Sequence, residues 1–122
     1  MAKVEVKATN PQLRSLIYFL RKAWRANGAR IWLDVARRLA KPRRKRVAVN
    51  LSRINRYTEE GDVVVVPGKV LGAGSLDHPV TVAAFSFSKK AKEKIEDARG
   101  RWLTIKELVK LNPKGSRVKI MR

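Results

Sequence analysis

The chain has 122 residues, enough for one domain with a buried core, and 44% of them are hydrophobic, which excludes a disordered polycation. Its 29 Lys and Arg against 10 acids leave a net charge of +19 and a pI near 11.3, so a partner of dense negative charge is implied. No cysteine is present for a disulfide or a thiolate metal site, and the runs Leu16 to Leu20 and Val63 to Val66 are far shorter than the ~20 residues of a membrane span.

The Met-Ala-Lys-Val-Glu-Val start holds no signal-peptide core, so a cytoplasmic setting without membrane contact is expected. Residues 1–9, in which Val4 and Val6 alternate with charged neighbours, read as a flexible arm, and residues 10–122 as a single domain. Asn10-Pro11 has the form of a helix start, Asn as N-cap and Pro at the first helical position, where its missing N–H costs nothing. Leu13, Leu16, Ile17, Leu20 and Trp24 then recur at helical spacing, Gly28 is a C-terminal stop, and Arg14, Tyr18, Arg21 and Arg25 form a basic stripe beside the apolar one. A second helix is predicted from about Arg30 to Ala40, burying Ile31, Trp32, Val35, Ala36 and Leu39 and ending before Pro42. Asp34 lies within one turn of Arg30, Arg37 and Arg38 and is placed to pair with them.

The two helices make a helical hairpin that delivers the chain into Lys41-Pro-Arg-Arg-Lys-Arg46. From Arg37 to Arg56 there are nine basic residues, Arg37, Arg38, Lys41, Arg43, Arg44, Lys45, Arg46, Arg53 and Arg56, and no acid. So much like charge repels itself, and a polyanion relieves the repulsion. Arginine predominates, and its planar fork suits bidentate phosphate contacts. If about eight phosphates were neutralised, log K would fall with log salt at a slope of roughly −6 to −7, an affinity mostly ionic and only weakly dependent on base sequence.

Beyond the basic run the periodicity shortens. Val47 and Val49 read as a short strand, residues 50–57 as a short helix or turn with Leu51 and Ile54 inward, and Gly61-Asp62 as a turn. Val63 to Val66 reads as a strand buried on both faces and ended by Pro67, with an irregular stretch from there to Pro79. Val80 to Ser88 is the clearest strand. Ser88 is an N-cap for a helix over Lys89 to Arg99 closed by Gly100. Trp102 and Leu103 read as buried, Thr104 to Glu107 as a capping box for a helix through Leu111, and Val118 and Ile120 as a last strand. The fold class expected is α/β, layered.

Enzyme chemistry is poorly served. His78 is the one histidine; pairing it with its sequence neighbour Asp77 is sterically awkward, so a loop histidine is expected. Gly72-Ala-Gly74-Ser75 lacks the Lys-Ser/Thr of a P-loop and the third glycine of a dinucleotide fingerprint, and reads as tight turns. No cofactor, metal or small-molecule substrate is expected. Trp24, Trp32 and Trp102 fall on apolar stripes and are assigned to the core, whereas Tyr18 and Tyr57 lie beside arginines and are open to either core packing or base stacking.

Asn50-Leu-Ser-Arg-Ile-Asn55, the valine run with Pro67-Gly-Lys-Val-Leu-Gly72, and Val80 to Ser88 closely resemble the large-subunit ribosomal protein family eighteen-e, archaeal type. The likeness covers nearly the whole chain, from Asn10-Pro-Gln-Leu13 through Ile31-Trp-Leu-Asp34 to Asn112-Pro-Lys-Gly115. It implies a non-enzymatic constituent of the large ribosomal subunit with an N-terminal helical portion and an irregular β-β-α superhelical core, similar in fold to bacterial large-subunit ribosomal protein fifteen. The partners so implied are large-subunit ribosomal RNA and neighbouring ribosomal proteins. Arg30, Lys69, Lys89 and Lys90 are expected as lesser RNA contacts beside the basic segment. The alternative is a DNA-binding regulator whose hairpin mimics a helix-turn-helix, although Trp32 and Leu33 stand where base-reading polar side chains are wanted.

Overall fold

Helix α1 (Pro11–Asn27) starts where its cap chemistry requires: the Asn10 side chain accepts the backbone N–H groups of Gln12 at 2.9 Å and Leu13 at 3.4 Å. It ends at Gly28, whose N–H bonds the Trp24 carbonyl at 2.8 Å and whose φ of 65° then turns the chain out of the helix. Helix α2 (Arg30–Leu39) follows after one further residue and packs on α1, forming the expected helical hairpin. The computed structural model describes residues 10–41 and 47–121; the arm expected over residues 1–9, and Arg43, Arg44, Lys45 and Arg46, lie outside the described residues.

The rest alternates as β1 (Val47–Asn50), α3 (Leu51–Tyr57), β2 (Val63–Leu71), β3 (Thr81–Phe87), α4 (Lys89–Asp97), β4 (Arg101–Thr104), α5 (Ile105–Leu111) and β5 (Val118–Ile120). All pairings are parallel, in the order β1-β2-β3-β4. β5 shares the β1 edge of β2: β1 lies against residues 68–71 and β5 against residues 63–65. One edge of one long strand thus anchors both the chain that leaves the basic run and the last described strand.

Helices cover both sheet faces. Val65, Ala83 and Leu103 point into a core built with α1, α2 and α5, while Val64, Val66, Val82 and Ala84 point into a second core with Leu51, Ile54, Ala91 and Ile95 of α3 and α4. This explains why Val63 to Val66 is a continuous apolar run: a strand between two helical layers has no solvent face, so alternation disappears.

Two expectations are corrected, and Trp24, Trp102 and Ile31 pack on the cores with less complete burial than expected. Pro67 does not end β2. Three steps on β2, from Val66 to Lys69, face two on β3, from Ala84 to Ser86, so one extra residue is absorbed at Pro67-Gly68, and the proline sits at a bulge where no ladder N–H is needed. Helix α4 is closed by Arg99, at φ 64°, and not by a left-handed Gly100. Arg99 N–H bonds to the Glu96 carbonyl and Gly100 N–H to the Ile95 carbonyl, both at 2.9 Å, a Schellman pair; Gly100 is needed because a Cβ there would meet the Val80 carbonyl. Of the tryptophans only Trp32 is fully enclosed, its indole N–H donating to the Pro113 carbonyl at 2.7 Å. Trp24 is half-buried at the edge of its core, and Trp102 is half-buried with its N–H on Glu96 at 2.8 Å and the Lys92 ammonium 4.5 Å from its ring. Ile31 is likewise half-buried.

Candidate nucleic-acid interface

The described residues on either side of the basic run are packed. Leu39, at the end of α2, is fully buried, and Ala40 closes the helix with its N–H on the Ala36 carbonyl at 3.0 Å. On the other side Val47 pairs opposite Gly68, and Val49 is buried between α3 and the sheet. A Cβ on Gly68 would overlap the Val47 carbonyl oxygen, so only glycine admits this close approach.

Arg30 and Arg37 are exposed on α2 and line one open cleft of about 320 Å³ with Asp34, Ile31, Leu33 and Ile120. Asp34 accepts from Arg38 Nε at 3.1 Å; it does not bond Arg30 or Arg37. Among the described residues those two have no carboxylate partner, while the half-buried Arg38 is partly neutralised. Lys41 is exposed. Arg53 and Arg56 stand exposed on α3, with the Arg53 guanidinium 5.8 Å from the Tyr57 ring centre. Lys69 is exposed on β2 opposite Ala48 of β1, and Lys89 and Lys90 are exposed in the first turn of α4. Lys90 lies close to the glycine loop, for a Cβ on Gly72 would come within 2.8 Å of its own. The register of β1, β2 and β3 thus places Lys69 and the start of α4 toward the carboxyl ends of the strands, where α3 also begins.

What holds α3 in place was not foreseen. The segment Gly72 to Val80 is stapled along it: Ser52 N–H donates to the Ala73 carbonyl at 3.1 Å, and Asp77 N–H donates to Asn55 Oδ1 at 3.1 Å. Lys94 Nζ donates to the Gly72 carbonyl at 2.7 Å and to the Gly74 carbonyl. The loop presents carbonyls to a lysine, the opposite polarity from a phosphate-binding nest.

The Asp77–His78 pairing thought awkward does form. His78 Nδ1 meets Asp77 Oδ1 at 2.8 Å and Nε2 meets Thr58 Oγ1 at 2.8 Å. Thr58 is buried and its hydroxyl donates to the Ile54 carbonyl at 2.6 Å, so this Thr-His-Asp chain fastens the loop to α3 and offers no free nucleophile. The His78 hydrogen bond, helped by Asn55, holds the Asp77 carboxyl below its ordinary range. Elsewhere the Lys119 ammonium, at 2.8 Å, and the Glu59 N–H hold Asp62 below it. No sequence periodicity signals these contacts, because they link a loop to a helix 20 to 22 residues away.

The hairpin also answers the alternative of a base-reading helix. Trp32 and Leu33, near the start of α2, are 0% and 2% exposed. No helix among the described residues is long and apolar enough to cross a membrane.

The family model for ribosomal protein 60S L18 and 50S L18e matches residues 1–122. Among similar curated proteins, the large ribosomal subunit protein eL18 of Methanococcus maripaludis is 57% identical over 117 residues, covering 96% of this chain and 98% of that one. The proteins of the same name from Methanothermobacter thermautotrophicus and Methanoregula boonei are 52% and 51% identical, each over 96% of this chain and 97% of their own. With its whole length matched, the chain belongs to this family of large-subunit ribosomal proteins, as a non-enzymatic member of the archaeal type whose place is the cytoplasmic ribosome.

Proposed function

We propose that the chain is a structural constituent of the large ribosomal subunit, with residues 10–122 acting as one RNA-binding domain that supports assembly and translation. Its segment 37–56 lies among ribosomal RNA helices, contacting phosphates first and base faces second. Arg30, Lys69, Lys89 and Lys90 add lesser phosphate contacts, and neighbouring ribosomal proteins adjoin the domain.

The observation that carries this reading is the double anchoring of the basic run between buried Leu39 and sheet-paired Val47. A tethered tail loses much conformational freedom on binding; a segment fixed at both ends by packed elements loses less, and more of its electrostatic attraction appears as affinity. An acid-free run joined at both ends to packed elements suits a rigid, crowded polyanion better than a free tail would.

Competition binding tests the reading. Full-length protein bound to labelled large-subunit rRNA is challenged with unlabelled rRNA and with duplex DNA at matched salt. Structured rRNA should compete far better than DNA. Preference for a defined duplex DNA sequence would instead identify a regulator.

A further inference from the structure

The stripe on α1 that the basic segment does not account for has its own logic. At about 100° per residue, Arg14, Tyr18, Arg21, Lys22 and Arg25 fall within an arc of roughly 100°, on the side away from buried Leu13, Leu16, Leu20 and Ala23. Helix α1 contains no acidic residue at all. Among the described residues, none of these four cations is paired with a carboxylate, and Arg14, Lys22 and Arg25 are exposed. In the middle of them sits Tyr18, an aromatic ring left 49% exposed.

Arg21 sets the ring's environment. Its guanidinium lies 5.9 Å from the Tyr18 ring centre, and its Nε is buried without a hydrogen-bond acceptor. Packing, including the ring, therefore holds this side chain, and no ion pair among the described residues draws its charge away. An exposed ring beside a packed, unneutralised guanidinium, with more cations one turn to either side, has the chemistry of a stacking platform flanked by phosphate sites.

We propose that the outer face of α1 is a second RNA-contact surface, on which Tyr18 and Arg21 stack an unpaired base while Arg14, Lys22 and Arg25 hold the flanking phosphates. This rests on the RNA-binding reading above and assigns it a place separate from segment 37–56. The ligand class is single-stranded or bulged RNA, because a base in a duplex does not offer its face to a side chain.

Quantitative binding of full-length protein to large-subunit rRNA tests it, with thermal melts to confirm folding. Tyr18→Ala should weaken binding about 5- to 100-fold with an unchanged salt slope, since stacking releases no counterions, and Tyr18→Phe should restore affinity to within about twofold. Neutralising Arg14, Lys22 and Arg25 together should reduce the magnitude of the salt slope by about 2. Wild-type affinity in Tyr18→Ala and in the triple variant, with binding still lost on neutralising Arg43, Arg44 and Arg46, would overturn the α1 surface and leave the RNA reading standing. If none of these variants altered rRNA binding, that reading itself would fall. A poly-glutamate probe that binds wild type and loses binding in the α1 variants, with rRNA affinity unmoved, would assign the stripe to an acidic protein partner and overturn the proposal.

Discussion

Gly68 lies directly opposite Val47 in the parallel pairing of β1 with β2, so close that a Cβ on Gly68 would overlap the Val47 carbonyl oxygen. Val47 is the first residue after the basic run, and the missing side chain of Gly68 therefore fixes where the run re-enters the sheet. Gly68→Ala should cost roughly 2–3 kcal/mol, as overpacking between two backbones does, and should also weaken rRNA binding by moving the exit of the run. Gly61→Ala is the control: Gly61 has φ 85° and open space around it, so strain of ~1 kcal/mol is expected with rRNA affinity retained. Chemical denaturation and rRNA titration of the two variants decide this, and equal effects on affinity would contradict it.

His78 fastens the Gly72 to Val80 segment to α3 through Thr58 on one side and Asp77 on the other. His78→Ala should destabilise the chain by about 1–2 kcal/mol, the range for hydrogen bonds of this kind. Amide exchange at Ser52 and Asp77, whose N–H groups bridge loop and helix, should accelerate, whereas that of α1 stays slow. Unchanged exchange at both amides would show that the histidine does not hold the loop.

The capping box at α5 makes a pH prediction. Glu107 accepts the Thr104 N–H at 3.0 Å while Thr104 Oγ1 accepts the Glu107 N–H at 3.1 Å, and the Thr104 N–H, helped by the Thr104 side chain, holds the Glu107 carboxyl below its ordinary range. Asp62 and Asp77 are shifted the same way. A depressed folded-state value stabilises the fold above the unfolded value and loses that contribution as pH falls through the folded one. Thermal stability should therefore decline below about pH 4. Thr104→Ala should cost ~1 kcal/mol at neutral pH. Glu107→Gln, which can still accept the Thr104 N–H, should keep most of the cap and show a smaller acid loss. Melts between pH 7 and 3 showing no decline would contradict the assignment.

Sequence alone carried the elements whose causes are local. Asn10, Pro11 and Gly28 delimit α1, and Thr104 with Glu107 opens α5, because caps act within a few residues. Pro67 misled because its effect depends on its partner strand: against β3 it occupies a bulge, a fact no local rule contains. Arg99 at positive φ and the Asp77–His78–Thr58 chain escaped for the same reason, being fixed by packing of the Gly100 backbone on Val80 and of a loop on α3. For the interface, charge counting found the basic run and helical spacing the pairing of Asp34 with Arg38, but neither showed that Asp34 leaves Arg30 and Arg37 aside or that Gly68 anchors Val47.

The central proposal is that the run between α2 and β1 binds rRNA through its charges. Neutralising Arg43, Arg44 and Arg46 to Gln together, and titrating full-length protein against large-subunit rRNA over a range of salt, measures it most directly. The account predicts weaker binding at low salt and a log–log slope shallower by roughly 2 to 3, with the melting temperature unchanged. Unchanged affinity and an unchanged slope would contradict it.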